Sequence, residues 1–257
     1  MAVTIDTQLK GNVAIVTGGS RGIGRAVALR LAELGSHVVI NYVRDRQAAE
    51  DVARLAKAKG VQALLLQADV SQLSQAEELI GTTIREFNSL DILVCNAGTW
   101  RGAPIEEISE ELWDDTLATN LRGTWTVCRA AVPLMKQQRR GKIVIVSSTA
   151  GQRGEAGVSN YAASKGGQIS FTKSLATELG PFGINVNCVA PGWVDTDMNV
   201  QVFADKSRLD SIVRTIPLGR VATADEIACP IVFLCTEWAR NITGEVLNVN
   251  GGSVLCG

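Results

Sequence analysis

Val13-Ala-Ile-Val-Thr-Gly-Gly-Ser-Arg-Gly-Ile-Gly24 carries the reading of the fold. Val13–Thr17 is a short apolar run of the kind that forms a strand buried on both faces. Gly22 to Leu34 reads as a helix that stops at Gly35. Between them, glycines at 18, 22 and 24 permit a tight turn and close backbone approach. The helix start offers free N–H groups and a positive dipole end, which together suit a phosphate. The spacing differs from G-x-G-x-x-G, and a plain strand–helix connection is the alternative. Placed after a first strand, the turn points to dinucleotide binding by Gly18, Ser20, Arg21, Gly22, Ile23 and Gly24.

The same alternation continues along the chain. Strands are expected at Val38–Tyr42, Ala63–Gln67, Ile92–Cys95, Lys142–Val146, Ile184–Val189 and Val246–Val249. Helices are expected from Gln47 to Lys59 (closed by Gly60), up to Phe87 with Ser71 as its cap, over about Glu110 to Gln138, and from Tyr161 to Leu179. Thr223-Ala-Asp-Glu226 has capping-box form and opens a helix to Leu234. Continuous apolar strands separated by helices predict an α/β fold: a single doubly wound Rossmann-type domain with a parallel seven-stranded sheet and helices on both faces. Nothing divides residues 1–257, so one domain is expected, with a cofactor half over about 1–150 and a catalytic and substrate half over about 140–257. Trp193 to Thr215 is the least regular stretch. It reads either as a mobile lid or as a surface loop with one short helix.

Composition removes several function classes. Lys plus Arg number 25 and Asp plus Glu 26, for a net charge of −1. No basic excess marks a nucleic-acid or anionic-membrane partner. Met1 to Lys10 has no signal-peptide pattern, and no apolar run is long enough to span a bilayer, so a cytoplasmic chain is expected. Cys95, Cys128, Cys188, Cys229, Cys235 and Cys256 form no C-x-x-C pair and read as buried thiols. His37 is the one histidine. A histidine-based metal site or Ser-His-Asp triad is therefore not expected, and proton chemistry falls to another residue.

Tyr161-Ala-Ala-Ser-Lys165 supplies a candidate. The spacing puts a phenol and an ammonium on one helix face, one turn apart. A neighbouring cation favours the phenolate and draws its pKa down from about 10. Such a tyrosine can exchange a proton with an alcohol or carbonyl. The second strand ends in Asn41-Tyr42-Val43-Arg44, roughly twenty residues beyond the turn, where an NAD site carries an acid and an NADP site an arginine. No acid stands at 40–43, so Tyr42, Arg44 and Arg21 suggest a 2′-phosphate, although Asp45 is positioned to neutralise Arg44. Asp69 and Val70 follow the third strand and border the adenine on this reading. Asn96-Ala97-Gly98 follows the fourth and supplies small residues beside the cofactor.

Together these motifs resemble the short-chain dehydrogenase/reductase family. The resemblance rests on T-G-x-x-x-G-x-G at 17–24, N-A-G at 96–98, Asn120, Ser148, Y-x-x-x-K at 161–165 and Pro191-Gly192, and covers nearly the whole chain. Asn185-Val-Asn-Cys-Val-Ala-Pro-Gly192, Asp195-Thr-Asp-Met198 and Asn248-Val-Asn-Gly-Gly252 are most similar to its 3-oxoacyl-acyl-carrier-protein reductase group, and occur in sugar, polyol and steroid dehydrogenases as well. The resemblance implies an NADP(H)-dependent oxidoreductase without a metal. Tyr161 would be general acid in reduction and base in oxidation. Lys165 would lower its pKa and bind the nicotinamide ribose. Ser148 would hydrogen-bond the substrate oxygen, and Asn120 would hold a water linking Lys165 to solvent. Pro191, Gly192, Val194 and Thr196 would meet the nicotinamide end. It further implies a homotetramer, with Trp113, Trp125 and Trp238 on candidate interface helices or else in the core. An acyl carrier protein is a possible partner. Arg139 and Arg140 match one basic position of that group, whereas Phe182 stands at the second. Trp100, Trp193 and Phe203 would shape the substrate pocket or pack the lid. A non-catalytic NADP-binding regulator is the remaining alternative.

Overall fold

Strands that are apolar on both faces need cover on both sides, and the chain supplies it. The computed structural model describes residues 9–255. Cys256 and all but the last two positions of the Met1–Lys10 segment lie outside the described residues. The strands are β1 (Val13–Val16), β2 (His37–Tyr42), β3 (Ala63–Gln67), β4 (Ile92–Cys95), β5 (Gly141–Val146), β6 (Ile184–Pro191), β7 (Val194–Asp195), β8 (Ala222–Thr223) and β9 (Val246–Val249). The helices are α1 (Gly22–Glu33), α2 (Arg46–Lys57), α3 (Leu73–Phe87), α4 (Glu110–Leu117), α5 (Gly123–Gln138), α6 (Thr149–Arg153), α7 (Ser159–Leu179), α8 (Val200–Ala204), α9 (Lys206–Arg214) and α10 (Ala224–Cys235).

Seven strands form one parallel sheet in the order β3-β2-β1-β4-β5-β6-β9. Side chains alternate between two cores with the period of two that a strand imposes. Val16, Ile40, Val94 and Val144 face Val27, Leu31, Val52 and Ile227 of α1, α2 and α10. Ile15, Val39, Leu93 and Ile143 face Leu79, Val127, Met135 and Leu179 of α3, α5 and α7. After β3 the chain returns to the far side of β1 to lay down β4. This reversal opens a crevice beyond the C-terminal ends of β1 and β4, where ligands of open parallel sheets bind.

Three local expectations change. The helix from Leu73 is not capped by Ser71. Its cap position is Gln72, and the Ser71 amide instead donates to Asp69 Oδ1 at 3.0 Å, an Asx turn that competes with a helix cap. Cys229 is exposed, unlike Cys95, Cys128, Cys188 and Cys235. Residues 193–215 hold two helices, α8 and α9, rather than a loop with one. They carry a small core of Val202, Ile212 and Ile216, packed with Trp100, Trp193 and Phe203, and the short β7–β8 ladder closes its base. The expected capping box at Thr223 and Glu226 is present.

Asp91 fastens the opposite, N-terminal end of the sheet. Its carboxylate accepts from Val13 N (2.9 Å), Ser89 Oγ (3.0 Å) and Arg140 Nε (2.9 Å), tying β1, β4 and the entry to β5. Asp91→Ala leaves the buried Val13 N–H without an acceptor and should cost about 2–3 kcal/mol. Urea denaturation with an unchanged midpoint would refute this role.

Candidate active site

The glycine turn is held by side chains from three neighbouring strand ends. Thr17 Oγ1 donates to Val94 O (3.3 Å) and accepts from Asn96 N and Ala97 N (2.9 and 3.0 Å). Asn96 Nδ2 donates to Thr17 O and Gly18 O (3.0 and 3.2 Å). Asn41 Oδ1 accepts from Gly18 N (3.3 Å), Asn41 O accepts from Gly19 N (2.9 Å), and Asn41 Nδ2 donates to Ala68 O (2.9 Å). Gly18 and Gly22 adopt φ of 62° and 52°, where a side chain is strained. A Cβ on Gly24 would lie 2.3 Å from Gly18 O. Arg21, the N-cap of α1, makes no side-chain cap hydrogen bond, so its side chain leaves the first N–H groups of the helix without a cap. The open helix start and a cradle that a Cβ would fill fit a dinucleotide pyrophosphate. Ser20, Arg21, Gly22 and Ile23 stand at this edge. Gly22 faces Thr196, which brings the segment after Pro191-Gly192 back over the phosphate end.

The adenosine end is less uniform. Tyr42 is buried in the sheet core, whereas Arg44 and Arg21 are exposed. Asp45 accepts from Ala48 N (2.9 Å) as the cap of α2 and makes no ion pair with Arg44 among the described residues. The carboxylate that threatened to neutralise Arg44 is thus engaged elsewhere. Asp69 is half-buried and Val70 buried at the end of β3.

Beyond β4 and β5 the second half of the site assembles. Ser148 lies just beyond the end of β5, is half-buried, and caps α6 by accepting from Ala150 N (3.1 Å). Its hydroxyl neighbours the Tyr161 phenol. The neighbouring Ser147 is buried and donates to Lys165 O (2.8 Å), so it seats α7 instead. Lys165 is 4% exposed; its Nζ donates to Val146 O (2.8 Å) and lies 5.6 Å from the Tyr161 ring centroid. Asn120 sits in a wide five-residue turn, Ala118–Arg122, between α4 and α5, a helix defect common at functional sites. Its Oδ1 accepts from Thr99 N (2.8 Å), and its Nδ2 donates to Thr99 O (3.1 Å) and Ser164 Oγ (2.9 Å). Gly98 lies against Asn120 Oδ1 and Lys165 Nζ. The structure thus brings Asn120, Ser148, Tyr161 and Lys165 together at the C-terminal ends of β4 and β5.

Comparison with known proteins gives the family. Residues 18–253 match a family model described as Enoyl-(Acyl carrier protein) reductase. The chain belongs to the short-chain dehydrogenase/reductase family. It is 42% identical to the 3-oxoacyl-[acyl-carrier-protein] reductase FabG of Staphylococcus aureus (strain Mu50), over 94% of this chain and 98% of the relative. It is 41% identical to the 3-oxoacyl-[acyl-carrier-protein] reductase of Synechocystis, over 97% and 99%. A Sinorhizobium meliloti 1021 structure assigned to the short-chain alcohol dehydrogenases superposes with a TM-score of 0.93 at 33% identity, over 97% of this chain and 98% of that one. Short-chain dehydrogenases/reductases use a nicotinamide cofactor.

The electrostatics depart from one expectation for this short-chain dehydrogenase/reductase. Tyr161 is not drawn down by Lys165. Desolvation pushes its pKa up to about 12, the Ser148 contact opposes this, and the Glu155 carboxylate adds to it. Burial pushes Lys165 down to about 8, opposed by Cys188. The ammonium is spent on a backbone carbonyl rather than on the phenol, so in the isolated chain burial outweighs attraction.

Two more sequence expectations are refined here. Arg140 is engaged by Asp91. Arg139 sits 6.0 Å from the Phe182 ring centroid, with Lys136 Nζ at 4.8 Å over the same ring. Trp113, Trp125 and Trp238 are 36%, 40% and 46% exposed, which places them on the surface and not in the core. The sequence motifs assign no role to Asn41, Thr17 or Ser164. Asn41 was visible as a polar residue in an apolar strand, where a buried amide needs partners.

Gly24→Ala should abolish dinucleotide binding while the fold persists; a fluorescence titration showing retained affinity would contradict the cradle. Between about 8 and 10.5 the unfolded chain keeps a Lys165 proton that the folded chain has released, so stability from this group rises with pH across that window. Lys165→Met should therefore be at least as stable as the parent at pH 7, with that advantage shrinking toward pH 10, as read by chemical denaturation at each pH.

Proposed function

We propose that this chain is an NADP(H)-dependent reductase of 3-oxoacyl thioesters. The observation that carries the reading is the gathering of Ser148, Tyr161, Lys165 and Asn120 in a fold that also presents a glycine cradle fit for a dinucleotide. Two hydroxyls converging on one point suit a carbonyl oxygen, which gathers negative charge as its carbon is reduced. The names of the curated relatives support the acyl-thioester class.

The bound nicotinamide supplies or accepts hydride. Gly18, Ser20, Arg21, Gly22, Ile23 and Gly24 would hold the pyrophosphate. Tyr42, Arg44, Asp69, Val70, Asn96, Ala97 and Gly98 would line the adenosine side and the floor. Pro191, Gly192, Val194 and Thr196 would meet the nicotinamide end, and Tyr161 and Lys165 its ribose. Arg21 and Arg44 are exposed and lack acidic partners among the described residues, which favours a 2′-phosphate. In reduction, Ser148 donates to the substrate oxygen and Tyr161 delivers the proton. A phenol that keeps its proton throughout the neutral range suits this direction better than oxidation. The nearby Lys165 ammonium would stabilise the tyrosinate left behind. Asn120 retains one free lone pair on Oδ1, on the side of Gly98 and Lys165, and a relay water would bind there.

Trp193 and Phe203, with Trp100 at 6.1 Å from Trp193 in an edge-on contact, form an aromatic wall at the 193–215 flap. It suits an apolar ketone. At the corner beside α5, Arg139 and Lys136, the latter paired with Glu178 at 3.2 Å, flank Phe182 and offer a basic corner to an acidic carrier protein. The exposed Trp113 and Trp125 on α4 and α5 support a homotetramer, and a cytoplasmic location accords with the reading.

Tyr161→Phe should retain NADPH affinity and lose turnover by at least about a hundredfold; retention of most kcat would remove Tyr161 from the proton step. For the parent, kcat/KM of reduction should fall as pH rises through about 8, where Lys165 loses its charge. An NADPH-oxidation screen over 3-oxoacyl thioesters, enoyl thioesters, sugars and steroids tests the substrate. Turnover confined to another class, or higher efficiency with NADH, would overturn the assignment.

A further inference from the structure

A polar seam runs through the helix pair that carries the site. On α7, Asn160, Ser164, Gln168 and Thr172 recur every fourth residue and so share one face; each is 0% exposed. Opposite them stand Thr116 of α4, Asn120 of the wide turn and Thr124 of α5, also four apart and 0–2% exposed. Asn160 Nδ2 donates to Thr116 Oγ1 (2.9 Å), Asn120 Nδ2 to Ser164 Oγ (2.9 Å), and Gln168 Nε2 to Thr124 Oγ1 (2.7 Å). Every rung joins one amide to one hydroxyl. A one-turn slip of α7 would set amide against amide and hydroxyl against hydroxyl, and would carry Tyr161 and Lys165 about 5.4 Å along the helix axis.

The central knot is the Asn120 carbonyl. Gln168 Nε2 donates to it at 2.9 Å and Thr124 Oγ1 at 2.8 Å, so both lone pairs are used. Ser164, which receives the Asn120 amide, in turn donates to Tyr161 O at 2.7 Å. A continuous chain of bonds thus leads from Gln168 through Asn120 to the backbone of Tyr161. The arrangement costs stability, because Gln168 Oε1 and Asn160 Oδ1 are buried without a donor among the described residues. A methionine or leucine would fill the place of Gln168 without that cost, so packing alone does not explain an amide there.

We propose that Gln168 is a positioning residue for proton transfer: with Thr124 it fixes the Asn120 carbonyl and sets the register of α7, and so the placement of Tyr161 against Ser148. The proposal rests on the ketoreductase reading only for its kinetic consequence. The groups facing the phenol are Ser148, Glu155 and Lys165, and none of them is altered by substitution at 168 or 124.

The test uses Gln168→Met and Thr124→Val, which keep volume and remove donors, with Thr124→Ser as the conservative control. Both donor-deleting variants should lower kcat at least about tenfold with the KM for NADPH little changed, and should shift the alkaline limb of the pH–rate profile. The double variant should be no worse than either single one, since both act on one carbonyl. Thr124→Ser should restore parental behaviour. A second readout needs no substrate. The chain has two tyrosines, Tyr42 and Tyr161, so tyrosinate absorbance in a Tyr42→Phe background reports Tyr161 alone. Gln168→Met should move that titration from about 12 toward the ordinary value near 10, because a loosened α7 admits water to the phenol. An unmoved Tyr161 titration would overturn the proposal, as would a kcat loss that follows melting temperature with no change in pH profile. If Tyr161→Phe proves active, the ketoreductase reading falls, while the titration still decides the role of Gln168.

Discussion

Two asparagine amides, the buried Asn41 and the half-buried Asn96, hold the glycine turn against the ends of the central strands. A parallel sheet leaves backbone donors and acceptors unpaired where its strands end. At the reversal between β1 and β4 those groups cannot be left dry. The chain satisfies them with side chains reaching across from β2 and β4, and what remains open is the N-terminal turn of α1. The binding crevice is therefore the residue of a hydrogen-bonding problem that the asparagines solve everywhere except where a ligand is wanted.

The catalytic half rests on a different balance. Tyr161 and Lys165 are both moved toward neutrality by loss of water, the phenol upward and the ammonium downward. The phenol near 12 and the ammonium near 8 stand further apart than the 10.0 and 10.5 of water, so burial raises the cost of a tyrosinate–ammonium pair in the isolated chain. The chain holds this state by giving the ammonium a backbone carbonyl at Val146 and the phenol a hydroxyl at Ser148, neither of which is charged. The site thus holds a half-buried phenol and a buried ammonium without a fixed counter-ion in contact.

Much of this was legible in the residues. Unbroken apolar runs such as Val13–Val16 and Ile92–Cys95 can only be strands covered twice, and seven of them became the sheet. The Tyr161–Lys165 pair was legible from spacing, because the two share a helix face, whereas Ser148 and Asn120 came only with the family resemblance. What spacing could not convey was solvent. The sign of the Tyr161 shift depends on how deeply α7 is set, a tertiary quantity. The same holds for Ser71, whose capping role was lost to a carboxylate two residues away, and for Cys229, which faces outward from a helix whose other cysteine, Cys235, is buried. The four-residue recurrence of Asn160, Ser164, Gln168 and Thr172 was visible, yet a polar stripe ordinarily means a solvated face. Only its burial reveals a seam.

The wide turn at Ala118–Arg122 has a consequence for inheritance. It amounts to one residue more than a regular helix needs between Thr116 and Thr124. Losing one residue there would close the bulge into a regular helix and remove the widened turn that presents Asn120 to Ser164. Substitutions in this stretch can be tried one at a time by a drifting lineage, but a length change cannot. The segment should behave as a fixed ruler within an otherwise editable chain.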